Sequence, residues 1–348
     1  MTMNIRDFFN SPVMALPRDR TDPDYEHFLR LMFKNYLATV DALDVNCHIC
    51  QRIQIRKGAI QQLVRWICGS VRHYLEGLPA KAYKQLEHGI DYVSHSQTID
   101  SQVTLSVGND AIRSLYRMIP NVTNPIDKNR LFHCPFNDRH KVKRHRYGIP
   151  GFPCLYLGGS LEVCQRESRV EDKDLPSVAV GEFELRSPVK LLNFGYRPSG
   201  LAMIAGGSSL RPKGANSDLE KMLIDYAICW PLLAAASIIV MHDRAPFVHE
   251  YIIPQMILQW IMLNKDCDGI RFFSTRWNPD PLVIRETANY VFPAKPPPNA
   301  ACFSQPLINK FAFTDVLMWR TTTAGVNLTQ ERTDNVAILH GMPKAPLR

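Results

Sequence analysis

Apolar residues Ile60, Leu63, Val64, Ile67, Val71 and Leu75 recur at intervals of three and four, the spacing that lines one face of an α-helix. A buried helical face is predicted there. Asp24 to Leu37 and Ala82 to Val93 carry weaker forms of the same pattern, and Gly108 to Ile119 predicts one more helix, so residues 24 to 117 read as mainly helical. Further along the chain the period shortens. Pro153-Cys154-Leu155-Tyr156-Leu157 reads as a strand whose side chains alternate faces, so that Tyr156 looks into a cleft while the leucines look into a core. Gly158-Gly159 then leaves the strand and Ser160 caps a helix, Leu161 to Ser168, with Glu167 two turns in. Val178 to Leu185 and Val189 to Phe194 predict two strands separated by the turn-like Arg186-Ser187-Pro188. Asp218 is the expected cap of a helix from Leu219 to Ile228. A helix from His249 to Leu263 leads through Asp268-Gly269 into a strand from Ile270 to Phe273, and Thr314 to Trp319 predicts a last helix.

Pro120 to Asp127 is the expected linker and Pro293 to Pro298 an extended connector. These cuts divide the chain into a helical N-terminal extension (1–125), a catalytic domain (126–295) and a C-terminal extension (296–348). No internal repeat is found. The apolar run Trp230 to Met241 is shorter than the roughly 20 residues a membrane span needs, and reads as a buried helix or helix–strand pair. The expectation is a soluble protein without a membrane partner. Asp7 and two prolines interrupt the N-terminal segment where a secretory signal would be apolar, and nine cysteines without a framework spacing suit reduced thiols. A cytoplasmic setting follows as an expectation.

With 348 residues, 45% of them hydrophobic, the chain is long enough for a full core. Lys and Arg outnumber Asp and Glu by 41 to 33, a net charge of +8, which favours anionic partners. Arg56, Lys57, Arg65 and Arg72 read as the solvated face of their helix rather than a nucleic-acid surface. Cys47-His48-Ile49-Cys50 has a spacing zinc can use, but no second CxxC pair follows; Cys68 and His73 are the residues left to complete four ligands. Ordinary half-buried thiols are the expectation, and no metal. Gly206 to Gly214 lacks the order of a phosphate-binding loop and reads as a lid or surface loop. His242, Asp243, His249 and Glu250 lack a metal or triad spacing.

The unusual chemistry is concentrated between Arg130 and Arg169. Arg139-His140-Lys141 and Lys143-Arg144-His145-Arg146 form a dense cationic run, readable as a solvated loop or as a clamp for pyrophosphate, to which arginine's planar fork is suited. Gly148, Pro150 and Gly151 then allow a tight reversal. An arginine, a tyrosine and a carboxylate are thereby delivered to one neighbourhood.

Arg146 in RYGIPGFP, Tyr156 in CLYL, Glu167 in CQRES and Ser274 in DGIRFFS resemble, in that order, the signature of the RES-domain proteins. Tyr251, Pro254 and Gln255 extend the resemblance, which covers about residues 129 to 295. It implies an α+β fold, with a split sheet similar to that of ADP-ribosyltransferases after a mainly α-helical N-terminal part. It also implies an activity that degrades NAD, often as the toxin of a toxin–antitoxin pair. On that reading Glu167, Tyr156 and Ser274 are catalytic, and Arg146, Tyr147, Arg139, His133 and Gln255 bind substrate. NAD is the substrate and no metal takes part. An arginine commonly stands on the first strand of that family's domain, where this chain has Phe132-His133-Cys134-Pro135-Phe136. His133 or Arg139 is left to take the role, or it is missing. The acceptor stays open: water makes a glycohydrolase, inorganic phosphate a phosphorylase, a protein side chain an ADP-ribosyltransferase. A cognate antitoxin or immunity protein and a homo-oligomer are the further partners implied. The rival reading is a non-catalytic module that uses its basic surface for nucleic acid or a protein.

Overall fold

The computed structural model describes residues 2–95, 102–105, 114–122, 126–208, 217–264, 266–296, 302–322, 325–330 and 337–338. The protein is α+β, with a helical N-terminal part and a mixed sheet. Its chain forms two compact units, each assembled from three separated segments. One comprises Met1–Val103, Arg144–Pro150 and Lys190–Ile284; the other comprises Thr104–Lys143, Gly151–Val189 and Arg285–Arg348.

The first unit is mostly helical. Helices Tyr25–Asp41, Lys57–Leu75, Pro79–His95, Ser217–Ala236 and Ile252–Leu263 are its main elements, with shorter ones at Ile5–Asn10, His48–Ile55 and Pro198–Ser208. The apolar stripe read in the sequence is what Lys57–Leu75 buries: Ile60, Leu63, Ile67 and Val71 are each fully buried. Strands Val189–Phe194 and Gly269–Phe273 pair in parallel, with Leu192 opposite Ile270. Among the described residues no helix is long and apolar enough to cross a membrane.

Helix Ser217–Ala236 runs through the middle of this core and carries Pro231 inside it. A proline has no N–H, so the carbonyl four residues earlier, that of Ala227, loses its helical donor. The Tyr36 hydroxyl, fully buried, donates to that carbonyl instead. The Tyr36 ring also stacks on Trp230 at 4.2 Å between centroids, and the indole N–H of Trp230 donates to the carbonyl of Met14 at 3.0 Å. Early and late segments are thus locked around one aromatic pair. Nearby, the buried Arg20 guanidinium meets the buried Glu250 carboxylate at 3.1 Å, while its Nε donates to the carbonyl of Asp22 at 2.8 Å. The carboxylate also accepts from the backbone N–H of Met241 at 3.3 Å.

The second unit is an antiparallel sheet. Ala288–Pro293 pairs with Cys154–Gly158, then Leu115–Ile119, then Ala179–Leu185; the last also pairs with Phe311–Phe313 and with Leu317–Thr322, which continues to Gly325–Gln330 and Ala337–Ile338. Two sequence expectations are corrected here. The predicted helix Gly108 to Ile119 is, over its described part, the strand Leu115–Ile119, because its backbone finds a full partner in Ala179–Leu185, from Leu115 opposite Phe183 to Ile119 opposite Ala179. The predicted helix Thr314 to Trp319 gives way to the strand Leu317–Thr322 for the same reason. Helix Ser217–Ala236 outruns the expected Leu219 to Ile228, and the helix expected from His249 begins as a short 3-10 turn, His249–Tyr251. Gly206 to Ser208, expected in a loop, instead end the helix Pro198–Ser208; positions 209–214 of that loop, 123–125 of the linker and 297–298 of the connector lie outside the described residues.

Tyr36→Phe, which leaves the Ala227 carbonyl without a donor, is expected to destabilise the protein by about 1–3 kcal/mol. In a Pro231→Ala background, where the backbone N–H is restored, the same change is expected to cost clearly less. Denaturant midpoints of the four proteins in this cycle measure the coupling, and an equal cost in both backgrounds refutes it.

Candidate functional site

Within the second unit, every residue of strand Cys154–Gly158 is buried except Tyr156, which is half-buried and lies on the face opposite to Leu155 and Leu157. Tyr156 stands opposite Val291, and Gly158 opposite Asn289. The two glycines after it are required by packing. A Cβ on Gly159 would lie 2.0 Å from the Arg285 carbonyl oxygen, and one on Gly158 would lie 2.5 Å from the Cys164 sulfur. Helix Leu161–Ser168 can therefore fold back closely onto the strand. Ser160 caps it, its hydroxyl accepting from the Val163 N–H at 3.3 Å, and the helix stops at Arg169 in a left-handed conformation.

Glu167 is half-buried, and its Oε1 accepts from the Asn289 side-chain amide at 2.9 Å. Asn289 is opposite Gly158, two residues from Tyr156, so the amide that holds Glu167 projects from the face that carries the tyrosine. Glu162 sits elsewhere on the helix surface: it is exposed and paired with Arg166 at 3.6 Å. One carboxylate is built into the sheet face and the other belongs to solvent.

The other candidates of this unit serve different places. His133 is fully buried; its Nδ1 donates to the Cys134 carbonyl at 2.8 Å and its Nε2 accepts the Ser304 N–H at 2.9 Å. Both ring nitrogens are spent on backbone, and burial pulls its pKa down to about 4, so the ring is neutral. Arg139 is exposed at the end of a 3-10 turn, its guanidinium 5.0 Å from the Phe136 ring centroid. The strand ahead of these residues, Leu115–Ile119, carries an arginine, Arg117, that no sequence motif marks. Arg117 alternates to the face of Leu157, where its guanidinium donates to the Phe132 carbonyl at 2.7 Å and burial lowers its pKa to about 10.

In the first unit Arg146, Tyr147, Gln255 and the Ser274–Thr275 turn come together. Arg146 donates to the carbonyls of Ala236 at 3.0 Å and Ile238 at 2.9 Å and to the Thr275 hydroxyl at 3.3 Å, with its guanidinium 5.5 Å from the Tyr251 ring centroid. Those bonds occupy three of the five N–H directions of the group. Gln255 donates to the Gly148 carbonyl at 3.1 Å, holding the loop that carries the arginine, and the buried Tyr147 packs on Phe272 at 4.6 Å. Space enclosed by Arg146, Tyr147, Phe194, Leu233, Ser237 and Thr275 amounts to about 10 Å³, room for one water molecule at most. Ser274 is fully buried, and its hydroxyl accepts from the Arg276 N–H at 3.1 Å. The turn is held from behind by the buried Arg197, which donates to the carbonyl of Ser274 at 2.7 Å and to the Asn278 side chain at 2.6 Å.

Asn289, Thr275 and Arg197 were not singled out from sequence. A polar residue inside the apolar run Ala288-Asn289-Tyr290-Val291-Phe292 was the one available signal for Asn289. Among the described residues, no group of three or more His, Cys, Asp or Glu side chains is arranged to hold a metal ion.

The class defined by these elements is an α+β protein with a carboxylate and a tyrosine displayed on one face of an antiparallel sheet. Among known proteins, the chain is similar to "Putative toxin YopC" of Bacillus subtilis (strain 168), with 27% identity over 316 residues, covering 88% of this chain and 69% of that protein. No protein-family model and no solved structure matches it.

Two outcomes are expected. Arg146→Lys keeps the charge but not the fork, and is expected to cost about 1–3 kcal/mol of stability through carbonyls left without donors, read from the denaturant midpoint. His133 is held neutral when folded but titrates near 6.5 when unfolded, so between about pH 6.5 and pH 4 the unfolded chain binds more protons. Stability should therefore fall as pH drops through that window, by on the order of 3 kcal/mol from this residue, and His133→Gln should remove that part of the slope.

Proposed function

We propose that this protein is an NAD-consuming enzyme that cleaves the nicotinamide–ribose bond and acts as a toxin. The observation that carries the reading is Glu167, a half-buried carboxylate tied by Asn289 to the sheet face that presents Tyr156. Departure of nicotinamide develops positive charge on the ribose, and a fixed carboxylate beside that carbon lowers the barrier because it is already oriented when the charge appears. Tyr156 supplies a flat, half-buried ring for the ribose and a hydroxyl to bond it. Water or inorganic phosphate completes the reaction by adding to the ribose carbon. The matched residues Arg146, Tyr156, Glu167 and Ser274, together with the name of the similar Bacillus protein, support the toxin reading. A toxin of this kind implies an antitoxin or immunity protein as partner. Arg146, Gln255 and Ser274 are bound into the first unit's framework, so substitutions there act through the fold before they act on substrate.

Incubating the purified protein with NAD, with and without phosphate, and resolving the products tests the activity and identifies the acceptor. Glu167→Gln is expected to lower kcat by at least about a hundredfold, typical of losing one placed electrostatic or acid–base group, while Glu162→Gln leaves it nearly unchanged. Near-normal NAD cleavage by folded Glu167→Gln protein removes the proposed mechanism.

A further inference from the structure

The CxxC segment lies in the first unit, at the start of helix His48–Ile55. Cys47 is the N-cap of helix His48–Ile55, with extended backbone and no side-chain capping bond, and Cys50 lies in the helix's first turn. Their spacing puts both thiols at one end of the helix. They differ in access: Cys47 is half-exposed, Cys50 fully buried. The turn leading into them is fixed, since the Cys47 N–H donates to the Asp44 carbonyl at 3.1 Å and the Asp44 carboxylate accepts from the Asn46 N–H at 3.0 Å. Cα atoms three residues apart at a helix start are within the range a disulfide bridges. Burial, reinforced by the neighbouring Cys47 thiol and the Asp44 carboxylate, raises the pKa of Cys50, so Cys50 stays a thiol until a sulfur is presented to it.

We propose that Cys47 and Cys50 form a reversible dithiol–disulfide site that exchanges with small-molecule disulfides such as oxidised glutathione. The Cys47 thiol loses its proton to solvent, and the thiolate attacks one sulfur of the small disulfide, breaking its S–S bond and releasing one thiolate, which is protonated by solvent. Cys50 then attacks the Cys47 sulfur of the mixed disulfide; the second small thiolate leaves and takes up a proton in place of the one Cys50 gives up. In sum, two protein thiols are oxidised to one disulfide and one small disulfide is reduced to two thiols.

The test uses the full-length protein, equilibrated anaerobically in mixtures of reduced and oxidised glutathione, quenched with a thiol-blocking reagent and mapped by peptide mass spectrometry. The expected result is a Cys47–Cys50 disulfide, lighter by two hydrogens, that returns to two thiols in excess reduced glutathione. Cys50→Ser is expected to trap a glutathione adduct on Cys47, because the resolving sulfur is gone. The exposed Cys302 is the internal standard for simple accessibility. The proposal is overturned if Cys47 and Cys50 both remain thiols under conditions that load Cys302 with glutathione, or if Cys50→Ser protein carries no adduct at Cys47.

Discussion

A helix that ends inside a protein leaves carbonyl groups that water cannot reach, and helix Ser217–Ala236 ends among fully buried residues. Its last turn is satisfied piece by piece: the Ser237 hydroxyl donates to the Leu233 carbonyl at 2.8 Å, and the Arg146 guanidinium covers Ala236 and Ile238. The arginine comes from a loop far away in sequence, and Gln255 fixes that loop by its own carbonyls. Remove the guanidinium and the end of the helix, the Arg146 loop and the Thr275 turn lose their common partner. The residue that sequence suggested for phosphate therefore has a prior structural obligation.

A similar economy governs the sheet face. Glycines at 158 and 159 let the Leu161–Ser168 helix approach the strand, that approach brings Glu167 to Asn289, and strand alternation sets Asn289 on the side of Tyr156. Each step is short-range. The carboxylate is oriented by the Asn289 amide and by a helix turn that two glycines allow to approach the strand.

The steps legible in the sequence are the local ones. The Ser160 cap, the bounds of Leu161–Ser168, the alternation around Tyr156 and the buried stripe of Lys57–Leu75 depend on neighbours within a turn or a pleat. Leu115–Ile119 misread as a helix because a short run of mixed apolar residues fits either period, and what makes it a strand is Ala179–Leu185 beside it. The partners of Arg146 were hidden for another reason: two of them are backbone carbonyls, which every residue carries, so no residue type announces them. His133 was similarly opaque, since its role is set by the Cys134 carbonyl and the Ser304 N–H rather than by any neighbouring side chain.

Tyr36 has a further meaning for how the chain is made. Its ring, which meets Phe8 on one side, stacks on Trp230, and its hydroxyl donates to Ala227; both of these leave the ribosome long after it. During synthesis the first helices therefore emerge with their shared core unfinished, and the unit cannot close until most of the protein exists. Closure of this half therefore rests on contacts as far as 191 residues apart in sequence, the kind of non-local pairing that slows folding.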